Sequence, residues 1–453
     1  MSALILTSVL GVILLYLGLF GGKRLLAPVG ILGLLGAIAL FVMDKQYINV
    51  PQFANMLSFD AMGISFSIGL LVITILIFIF GIDYYANEEK NVAEQFALMI
   101  FSVTGALMMV SYTNLLSLFL GVEILSIPLY ILAGGKRNSM RSGEASFKYF
   151  LLGSFASAFL LMGIALIYGV AASFELPKVM AMAATSGTNV LFLLGCFFVI
   201  VGMTFKVAAV PFHFWSPDVY EGAPTLVTTF MATVVKMAAF AALYRFVTMV
   251  GMPPAVGKAL LVIAIVTLLV GNITALRQSH FKRLMAYSSI AHSGFLLMAI
   301  LSQQANAPSV LFYYTFTYAL ATVGLFIVFT VAKRAANGDE HIRIFRGLFR
   351  SQPWIGVMLL VMMLSLAGIP PFAGFFAKVN VFMLALGGGH IGLTVFAVLM
   401  ALVGIYYYAV VIREAFTASD SEPALVVAPT NLLVISLCGI AVLVLGVMPG
   451  LMI

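Results

Sequence analysis

The chain has 453 residues, of which 63% are apolar and 9% are charged, and its mean hydropathy is +1.15. Roughly a quarter of the residues in an ordinary globular chain are charged, so this composition excludes an assembly of two or three soluble domains. A bilayer-spanning helix takes about 20 mostly apolar residues, and the apolar content suffices for about 14 such helices. The sequence therefore predicts an all-α polytopic membrane protein.

The same composition argues against a redox centre or a bound nucleotide. The only two cysteines, Cys196 and Cys438, each lie inside an apolar run. Two thiols cannot hold a four-cysteine iron–sulfur cluster, and no zinc-ligand spacing occurs. No glycine-rich nucleotide loop follows a strand-like segment. We therefore expect no cofactor in this chain and no redox chemistry of its own.

The first apolar run, about Ala3 to Phe20, is followed rather than preceded by basic residues, Lys23 and Arg24. That polarity is the reverse of a cleaved signal peptide. The run is therefore predicted to be a retained first span.

Apolar runs separated by charged or Pro/Gly-rich breaks predict fourteen spans. Their centres lie near residues 11, 34, 70, 103, 123, 157, 199, 236, 267, 293, 321, 370, 403 and 440. The breaks are least sharply marked around Gly105–Gly121 and Ala223–Arg245. The predicted units are residues 1–94 (spans 1–3), 95–250 (spans 4–8), 251–416 (spans 9–13) and 417–453 (span 14).

The basic residues are unevenly distributed over the predicted loops. Four lie after even-numbered spans: Lys45, Lys178, Arg245 and Lys258. Sixteen lie after odd-numbered spans: Lys23, Arg24, Lys90, Lys136, Arg137, Arg141, Lys148, Arg277, Lys282, Arg283, Lys333, Arg334, Arg343, Arg346, Arg350 and Arg413. The positive-inside rule then assigns the odd loops to the cytoplasm and both termini to the outer side. Because these loops account for the net charge of +7, no nucleic-acid partner is expected.

Three lysines remain, and each lies within a predicted span: Lys206, Lys236 and Lys378. Glu123 and His292 are placed in the same way. A charge at the middle of a membrane helix costs about 2.5–3.5 kcal/mol on the insertion scale. Several such groups in one chain are typical of an ion or proton path.

Each of these groups also has a structural interpretation. Lys236 could snorkel to the headgroups. Glu123 and Lys206 could form only an interhelical clamp, and His292 could be a packed, hydrogen-bonded core histidine. Their number in one chain favours the path.

The positions of these residues indicate an internal repeat. Spans 4–8 and 9–13 form two sets of five, and a unit with an odd number of spans returns upside down. Glu123 and His292 lie in the second span of their sets, whereas Lys206 and Lys378 lie in the fourth. The sequence therefore predicts two inverted five-helix repeats.

Both fourth spans, 7 and 12, contain internal prolines, at Pro211 and at Pro370–Pro371. Proline breaks the helical ladder, and broken helices occur at membrane depth only where they line a cavity or are covered by protein. Helices 7 and 12 are thus predicted to be broken and to form two half-channels, which Lys236 could join. Movement of Glu123 relative to Lys206 would change whether that lysine holds its proton, because a nearby opposite charge favours the ammonium form.

Three charged clusters near span ends receive mainly structural interpretations. Glu144 and Lys148 are spaced for an ion pair on one helix surface, with a channel entrance as the alternative. A second cluster follows the predicted break of span 7 and stabilises a turn and helix start, with a proton shuttle by its histidine as the alternative. It comprises His213, Asp218 and Glu221. The third is interpreted as a cytoplasmic anchor and comprises His280, Lys282 and Arg283.

Three segments resemble a known family. They are PFHFWSPDVYEGAPT at Pro211–Thr225, HFKRLMAYSSIAHSGF at His280–Phe295 and LSLAGIPPFAGFFAKVNVF at Leu364–Phe382. They look like the antiporter-like membrane subunits of respiratory complex I. The VYEGAPT segment and the number of spans, fourteen, are most similar to the subunit N branch.

The resemblance implies a proton-pumping module of NADH:quinone oxidoreductase in a bacterial inner membrane. It carries five functional roles to matching positions of this chain. They are the functional glutamate at Glu123, the broken-helix lysine at Lys206, the connecting lysine at Lys236, the span-10 histidine at His292 and the exit-side lysine at Lys378.

The resemblance also implies that the partners are other membrane subunits of complex I, including neighbouring antiporter-like subunits. Flavin, iron–sulfur clusters and quinone are then expected in other subunits of the complex. Subunits of multi-subunit cation/proton antiporters and of membrane-bound hydrogenases share the same core and remain the alternative.

Overall fold

The computed structural model describes residues 1–43, 53, 55–86, 91–186, 189–418 and 425–452. Twelve of its helices are long and apolar enough to cross a membrane, and two further spans each consist of two shorter helices. Spans 1 to 6 are, in chain order, Ser2–Leu19, Lys23–Met43, Ala61–Tyr84, Val92–Ser111, Leu115–Ala133 and Met140–Ala171. Span 7 is Val190–Lys206 with Trp215–Gly222, and span 8 is Thr225–Phe230 continued by Met231–Val235 and Lys236–Val250. Spans 9 to 11 are Pro254–Ala275, Phe281–Leu301 and Ala307–Ala335, span 12 is Pro353–Ala367 with Ala373–Gly387, and spans 13 and 14 are Ile391–Phe416 and Pro429–Val447. The predicted all-α fold with fourteen spans is confirmed. Two of the basic residues that were assigned to loops, Lys45 and Lys90, lie outside the described residues.

A side-chain cap defines the break between spans 4 and 5, one of the two that the sequence marks least sharply. Span 4 ends at Ser111, and the Asn114 side chain begins span 5 by accepting a hydrogen bond of 2.9 Å from the Leu116 N–H. An N-cap of this kind satisfies one of the amides that a helix start leaves open. Two spans therefore fit where the apolar pattern is almost continuous.

Span 8 is irregular in its middle. Residues Met231–Val235 form a π-helical turn immediately before Lys236. Such π-bulges occur frequently at functional sites. The ambiguity of the Ala223–Arg245 pattern thus corresponds to one continuous span with a local distortion.

A short helix, Leu176–Ser186, precedes span 7. The sequence predicts only a loop there, because the segment is too short and too weakly apolar to count as a span. It follows an isolated β-bridge between Asn114 and Glu175. This segment therefore packs as a small surface helix at the membrane boundary.

Contacts between loops agree with the span count. Arg334 and Asp83 form an ion pair between the ends of spans 11 and 3, whereas Arg245 and Asp60 pair at 2.7 Å between the end of span 8 and the start of span 3. We call the membrane face that carries the loops after odd-numbered spans the odd-loop face, and the opposite face, with the loops after even-numbered spans, the even-loop face. An ion pair cannot bridge a hydrocarbon core about 30 Å thick, so a miscounted span would have placed these partners on opposite faces.

Spans cross closely at equivalent places of the two predicted repeats. A Cβ on Gly105 would come 2.7 Å from the Gly121 carbonyl oxygen, between spans 4 and 5. A Cβ on Gly271 would come 2.6 Å from the Ala291 nitrogen, between spans 9 and 10. Small residues allow helix backbones to approach in membranes. The first two spans of each repeat therefore pack in the same way.

Side chains, most of them from neighbouring spans, hydrogen-bond the backbone groups that the break in span 7 leaves free. The Trp215 indole N–H donates to the Phe205 carbonyl at 3.0 Å across the break. The Val210 N–H donates to Thr267 at 2.9 Å, and the Ser293 hydroxyl donates to the Val207 carbonyl at 2.6 Å. Backbone groups freed at membrane depth must find such partners. Spans 9 and 10 of the second repeat therefore stabilise the broken helix of the first.

The break in span 12 is closed locally. Its first half ends at Gly368, which has a left-handed φ of 83°, and the Ser365 hydroxyl accepts a hydrogen bond of 3.0 Å from the Gly374 N–H. Both predicted broken helices are thus present.

We expect Gly271→Ala to lower the thermal stability of the chain, because the new Cβ would overlap the Ala291 backbone. Overpacking of this kind costs about 1–3 kcal/mol. Unfolding of the purified chain in mild detergent can be followed with a thiol-reactive dye, since its two cysteines are buried.

Gly392→Ala is the matched control, because a Cβ there meets no atom within 4 Å. Equal melting temperatures for the two variants would contradict the close crossing of spans 9 and 10.

Candidate proton path

All four basic residues predicted for the path are buried in the interior of the helix bundle. Their exposed fractions are 4% for Lys206, 3% for Lys236, 4% for His292 and 6% for Lys378. Among the described residues, no carboxylate lies within 4 Å of any of these lysines. They are held instead by hydroxyls, carbonyls and aromatic faces.

Glu123 lies on span 5 and is half-buried. The Ser157 hydroxyl of span 6 donates a hydrogen bond to its carboxylate. Among the described residues, the ion pairs within 4 Å do not include one between Glu123 and Lys206. A simple interhelical clamp between the two residues is therefore not what this conformation contains.

Lys206 is the last residue of the first half of span 7. Its ammonium lies 5.4 Å from the centre of the Tyr149 ring and 5.7 Å from that of Tyr130. Tyr149 stacks on Trp215 with a centroid distance of 4.7 Å. Aromatic faces attract a cation without neutralising it, so Lys206 is held in place while its charge remains available to Glu123.

Lys236 connects the break of span 7 to span 10. Its ammonium donates to the Ser289 side chain and carbonyl and, at 3.0 Å, to the Ser293 hydroxyl. Ser293 in turn donates to the Val207 carbonyl in the break. Snorkelling of Lys236 to the headgroups is therefore wrong, because its ammonium points into the interface between the repeats.

His292 is hydrogen-bonded through both ring nitrogens. Its Nδ1 lies 2.7 Å from the Tyr314 hydroxyl, and its Nε2 lies 3.1 Å from the Tyr408 hydroxyl. Tyr408 also shares a hydrogen bond with the Ser288 hydroxyl. A group bonded on both sides by hydroxyls can accept a proton from one and give a proton to the other.

Lys378 lies in the second half of span 12 but binds the end of the first half. Its ammonium donates to the carbonyls of Leu366 and Ala367 at 2.9 and 2.8 Å. It also lies 5.4 Å from the centre of the Phe295 ring. The last carbonyls of a helix carry partial negative charge, so the half-helix end stabilises this cation without a carboxylate.

Near the odd-loop face the predicted charged clusters merge into one network. Lys148 pairs with Glu144 at 2.6 Å and with Asp218 at 2.7 Å. Arg283 joins Asp218 at 2.9 Å and Glu221 at 2.8 Å. The ion pair predicted from the i,i+4 spacing on span 6 is confirmed, and the cluster after the break holds the second half of span 7 against spans 6 and 10.

Two residues of those clusters behave differently from the prediction. His213 is buried beside Phe214 and is not part of the network. Lys282, predicted as an anchor in a loop, is only 2% exposed and donates to the Ala223 carbonyl at 2.7 Å. It thereby caps the short helix that completes span 7.

Glu340 lies in the loop between spans 11 and 12 beside Lys282 and Lys333. Burial disfavours the ionised form of this carboxyl, but the charge of Lys282 and the hydrogen bond from Lys333 outweigh burial and hold its pKa below the ordinary value. Its negative charge therefore persists at neutral pH and compensates the buried Lys282.

Within the described part of the chain, no group of three His, Cys, Asp or Glu residues could hold a metal ion. Cys196 and Cys438 are buried in spans 7 and 14.

The sequence shows Ser288 and Ser289 near the path, and Ser289 does bind Lys236, but four other hydroxyl-bearing partners were missed. Ser157, Ser293, Tyr314 and Tyr408 each bind a path residue or the break of span 7. Ser288 and Ser293 lie close to His292 in the sequence, but a hydroxyl in an apolar span has no spacing that marks its role. Only the packing of the spans reveals which hydroxyls converge.

Comparison with known proteins identifies the family. Residues 112–404 match the family described as NADH:quinone oxidoreductase/Mrp antiporter, TM. The NADH-quinone oxidoreductase subunit N of Cytophaga hutchinsonii is 39% identical over 93% of this chain and 91% of its own length. The subunit N of Flavobacterium johnsoniae is 37% identical over 93% and 92% of the two chains.

Solved structures agree with this result. A chain of respiratory complex I from Thermus thermophilus is 34% identical, with a TM-score of 0.84 over 99% of this chain and 98% of that chain. A chain of the Mrp complex from Dietzia shares the fold at 19% identity, with a TM-score of 0.83 over 99% of this chain and 95% of that chain. The chain therefore belongs to the NADH:quinone oxidoreductase/Mrp antiporter transmembrane family, as an antiporter-like membrane subunit of the subunit N type.

Proposed function

We propose that this chain is the proton-translocating membrane subunit of an NADH:quinone oxidoreductase and has no redox centre of its own. The observation that carries the proposal is the row of buried ionisable groups, which crosses both repeats at mid-depth. Lys206, Lys236, His292 and Lys378 are each at most 6% exposed. Three buried ammonium charges would together cost roughly 8–10 kcal/mol on the insertion scale. A purely structural role in the membrane does not account for charges that cost this much.

The proposed path begins at Glu123 and Lys206 in the first repeat, residues 95–250. Ser157 holds Glu123 apart from Lys206 in the present conformation. Movement of the carboxylate toward Lys206 would stabilise its ammonium, and movement away would favour release of the proton.

From Lys206 the proposed path continues into the second repeat, residues 251–416. Ser293 joins the break of span 7 to Lys236. His292 follows on span 10, adjacent in sequence to Ser293, which binds Lys236. Lys378 is the proposed exit-side group. These five residues act as a relay, and conformational or electrostatic change in neighbouring subunits drives it.

The complex I assignment supplies the partners and the driving reaction. Its relatives are subunits of NADH-quinone oxidoreductase, so the partners are other membrane subunits of complex I, including neighbouring antiporter-like subunits. Flavin, iron–sulfur clusters and quinone belong to those other subunits. The excess of basic residues assigns the odd-loop face to the cytoplasm of a bacterial cell and both termini to the outer side.

The alternative is a subunit of a cation/proton antiporter or of a membrane-bound hydrogenase, with the same residues and a different driving force. Identity favours the first proposal, since the Mrp chain is 19% identical whereas the subunit N of Cytophaga hutchinsonii is 39% identical.

We expect Lys206→Ala to lower proton pumping, and the quinone reduction coupled to it, by on the order of tenfold or more, as is usual when a proton-transfer group is removed. Pumping can be measured as acidification of inverted membrane vesicles after NADH addition, with assembly checked by native electrophoresis. The aromatic faces around Lys206 remain, so the complex should still assemble.

Lys258→Ala is the control, because this exposed lysine at the start of span 9 lies away from the path. Wild-type pumping by Lys206→Ala would remove this residue from the proposal.

A second experiment separates the two complexes. The purified assembly, reconstituted in vesicles without NADH, should show no sodium-dependent proton flux, because its proton transfer is driven by quinone reduction. Rapid sodium-dependent flux without NADH would favour the antiporter instead.

A further inference from the structure

The hydroxyls around His292 extend the path in a direction that the row of lysines does not. We infer that Tyr408 and Tyr314 are proton-relay residues that deliver a proton to His292 and remove one from it on opposite sides of the membrane. The inference rests on the proposed proton-translocating function and adds two residues to it.

Hydrogen-bond geometry is the first support. Tyr314 reaches Nδ1 at 2.7 Å and Tyr408 reaches Nε2 at 3.1 Å, and Ser288 continues the chain beyond Tyr408. A neutral imidazole has one donor and one acceptor nitrogen, and a hydroxyl both donates and accepts. Every member of this chain can therefore take up one proton while it gives up another.

Depth in the membrane is the second support. Tyr408 lies eight residues before the end of span 13 at the odd-loop face, which is about 12 Å along the helix. Tyr314 lies seven residues after the start of span 11 at the even-loop face, which is about 10 Å along the helix. His292 lies near the middle of span 10. Its two nitrogens are thus bonded by tyrosines whose nearer helix ends lie at opposite faces of the membrane.

Polar side chains continue from Tyr408 toward the odd-loop face. The neighbouring Tyr407 has its ring 4.5 Å from that of Tyr408, and its hydroxyl donates to the Asn272 side chain at 3.3 Å. Asn272 lies three residues before the odd-loop end of span 9. The chain of polar groups therefore extends to within one helical turn of that face.

The transfer balances without any other reactant. The Tyr408 O–H bond breaks as an N–H bond forms at Nε2, and Tyr408 regains a proton from the Ser288 side. The Nδ1–H bond breaks as Tyr314 accepts that proton and releases its own O–H proton to water on the even-loop side. One proton moves, and the imidazole is left with its proton on Nε2. Rotation of the hydroxyls together with a flip of the imidazole ring, which exchanges its two nitrogens, restores the starting arrangement.

The test uses the whole complex in inverted membrane vesicles with the variants Tyr408→Phe and Tyr314→Phe, which remove one hydroxyl and keep the ring. Each should lower pumping on NADH addition by on the order of tenfold or more. Each should also increase the slowing of pumping in heavy water, because proton transfer becomes rate-limiting. The double variant should pump no more slowly than the slower single variant, since both residues serve one path.

Tyr313→Phe is the matched control. Tyr313 is the buried neighbour of Tyr314 on the same helix, and its hydroxyl donates to the Leu445 carbonyl at 2.8 Å. This variant should pump within about twofold of the wild type, far less than the loss of a proton-transfer group. If Tyr408→Phe does not assemble, Ser288→Ala tests the same end of the chain and should lose pumping likewise.

Wild-type pumping by Tyr408→Phe and Tyr314→Phe would overturn the inference, as would losses that multiply in the double variant. Lys206→Ala and Lys378→Ala, measured in parallel, separate it from the proposed function. If these lysine variants stop pumping while the tyrosine variants pump normally, only the relay fails. If the lysine variants also pump normally, both proposals fail.

Discussion

The rule that every backbone polar group in a bilayer must be satisfied inside the protein controls the arrangement of this molecule. Two of its spans are broken, and each break exposes carbonyls that lipid cannot bind. In span 12 the ammonium of Lys378 binds the carbonyls of Leu366 and Ala367. In span 7 the Ser293 hydroxyl binds the Val207 carbonyl and also accepts a hydrogen bond from Lys236. The buried charges and the broken helices therefore compensate each other, since the partial negative charge at a half-helix end favours a cation.

This compensation explains why neutral groups rather than carboxylates surround the lysines. A tight ion pair would hold a lysine in its ammonium form, whereas carbonyls, hydroxyls and ring faces stabilise the cation less strongly. Lys206 lies beside two neighbouring tyrosine rings, with Glu123 held by Ser157 on a neighbouring span. Under the proposed function, a small movement of this carboxylate would change the protonation of Lys206. The full ion pairs of the chain lie instead near its two faces, where Lys148 and Arg283 bind the second half of span 7.

Much of this architecture could be predicted from the sequence because bilayer physics leaves strong one-dimensional signals. Apolar length and loop charge predict the fourteen spans, and Pro211 and Pro370 predict the two breaks. The short helix Leu176–Ser186 was missed because it is neither long nor strongly apolar. Lys282 was assigned to a loop because nothing in the sequence distinguishes a buried lysine at a helix start from an exposed one. The hydroxyl partners were missed for a related reason, since Ser157 and Tyr408 lie far from Glu123 and His292 in the chain and meet them only through packing.

The two repeats join through contacts of which the sequence indicated only the possible link at Lys236. The broken helix of the first repeat is closed by Thr267 and Ser293 of the second, and Lys236 of the first repeat binds span 10. A shift of span 10 would therefore move the break beside Lys206, the contacts of Lys236 and the position of His292 together. Because packed interfaces tend to have discrete arrangements rather than continuous ones, one such shift could change proton access in both halves at the same time. Span 10 is thus one element through which movement in either repeat would reach the other.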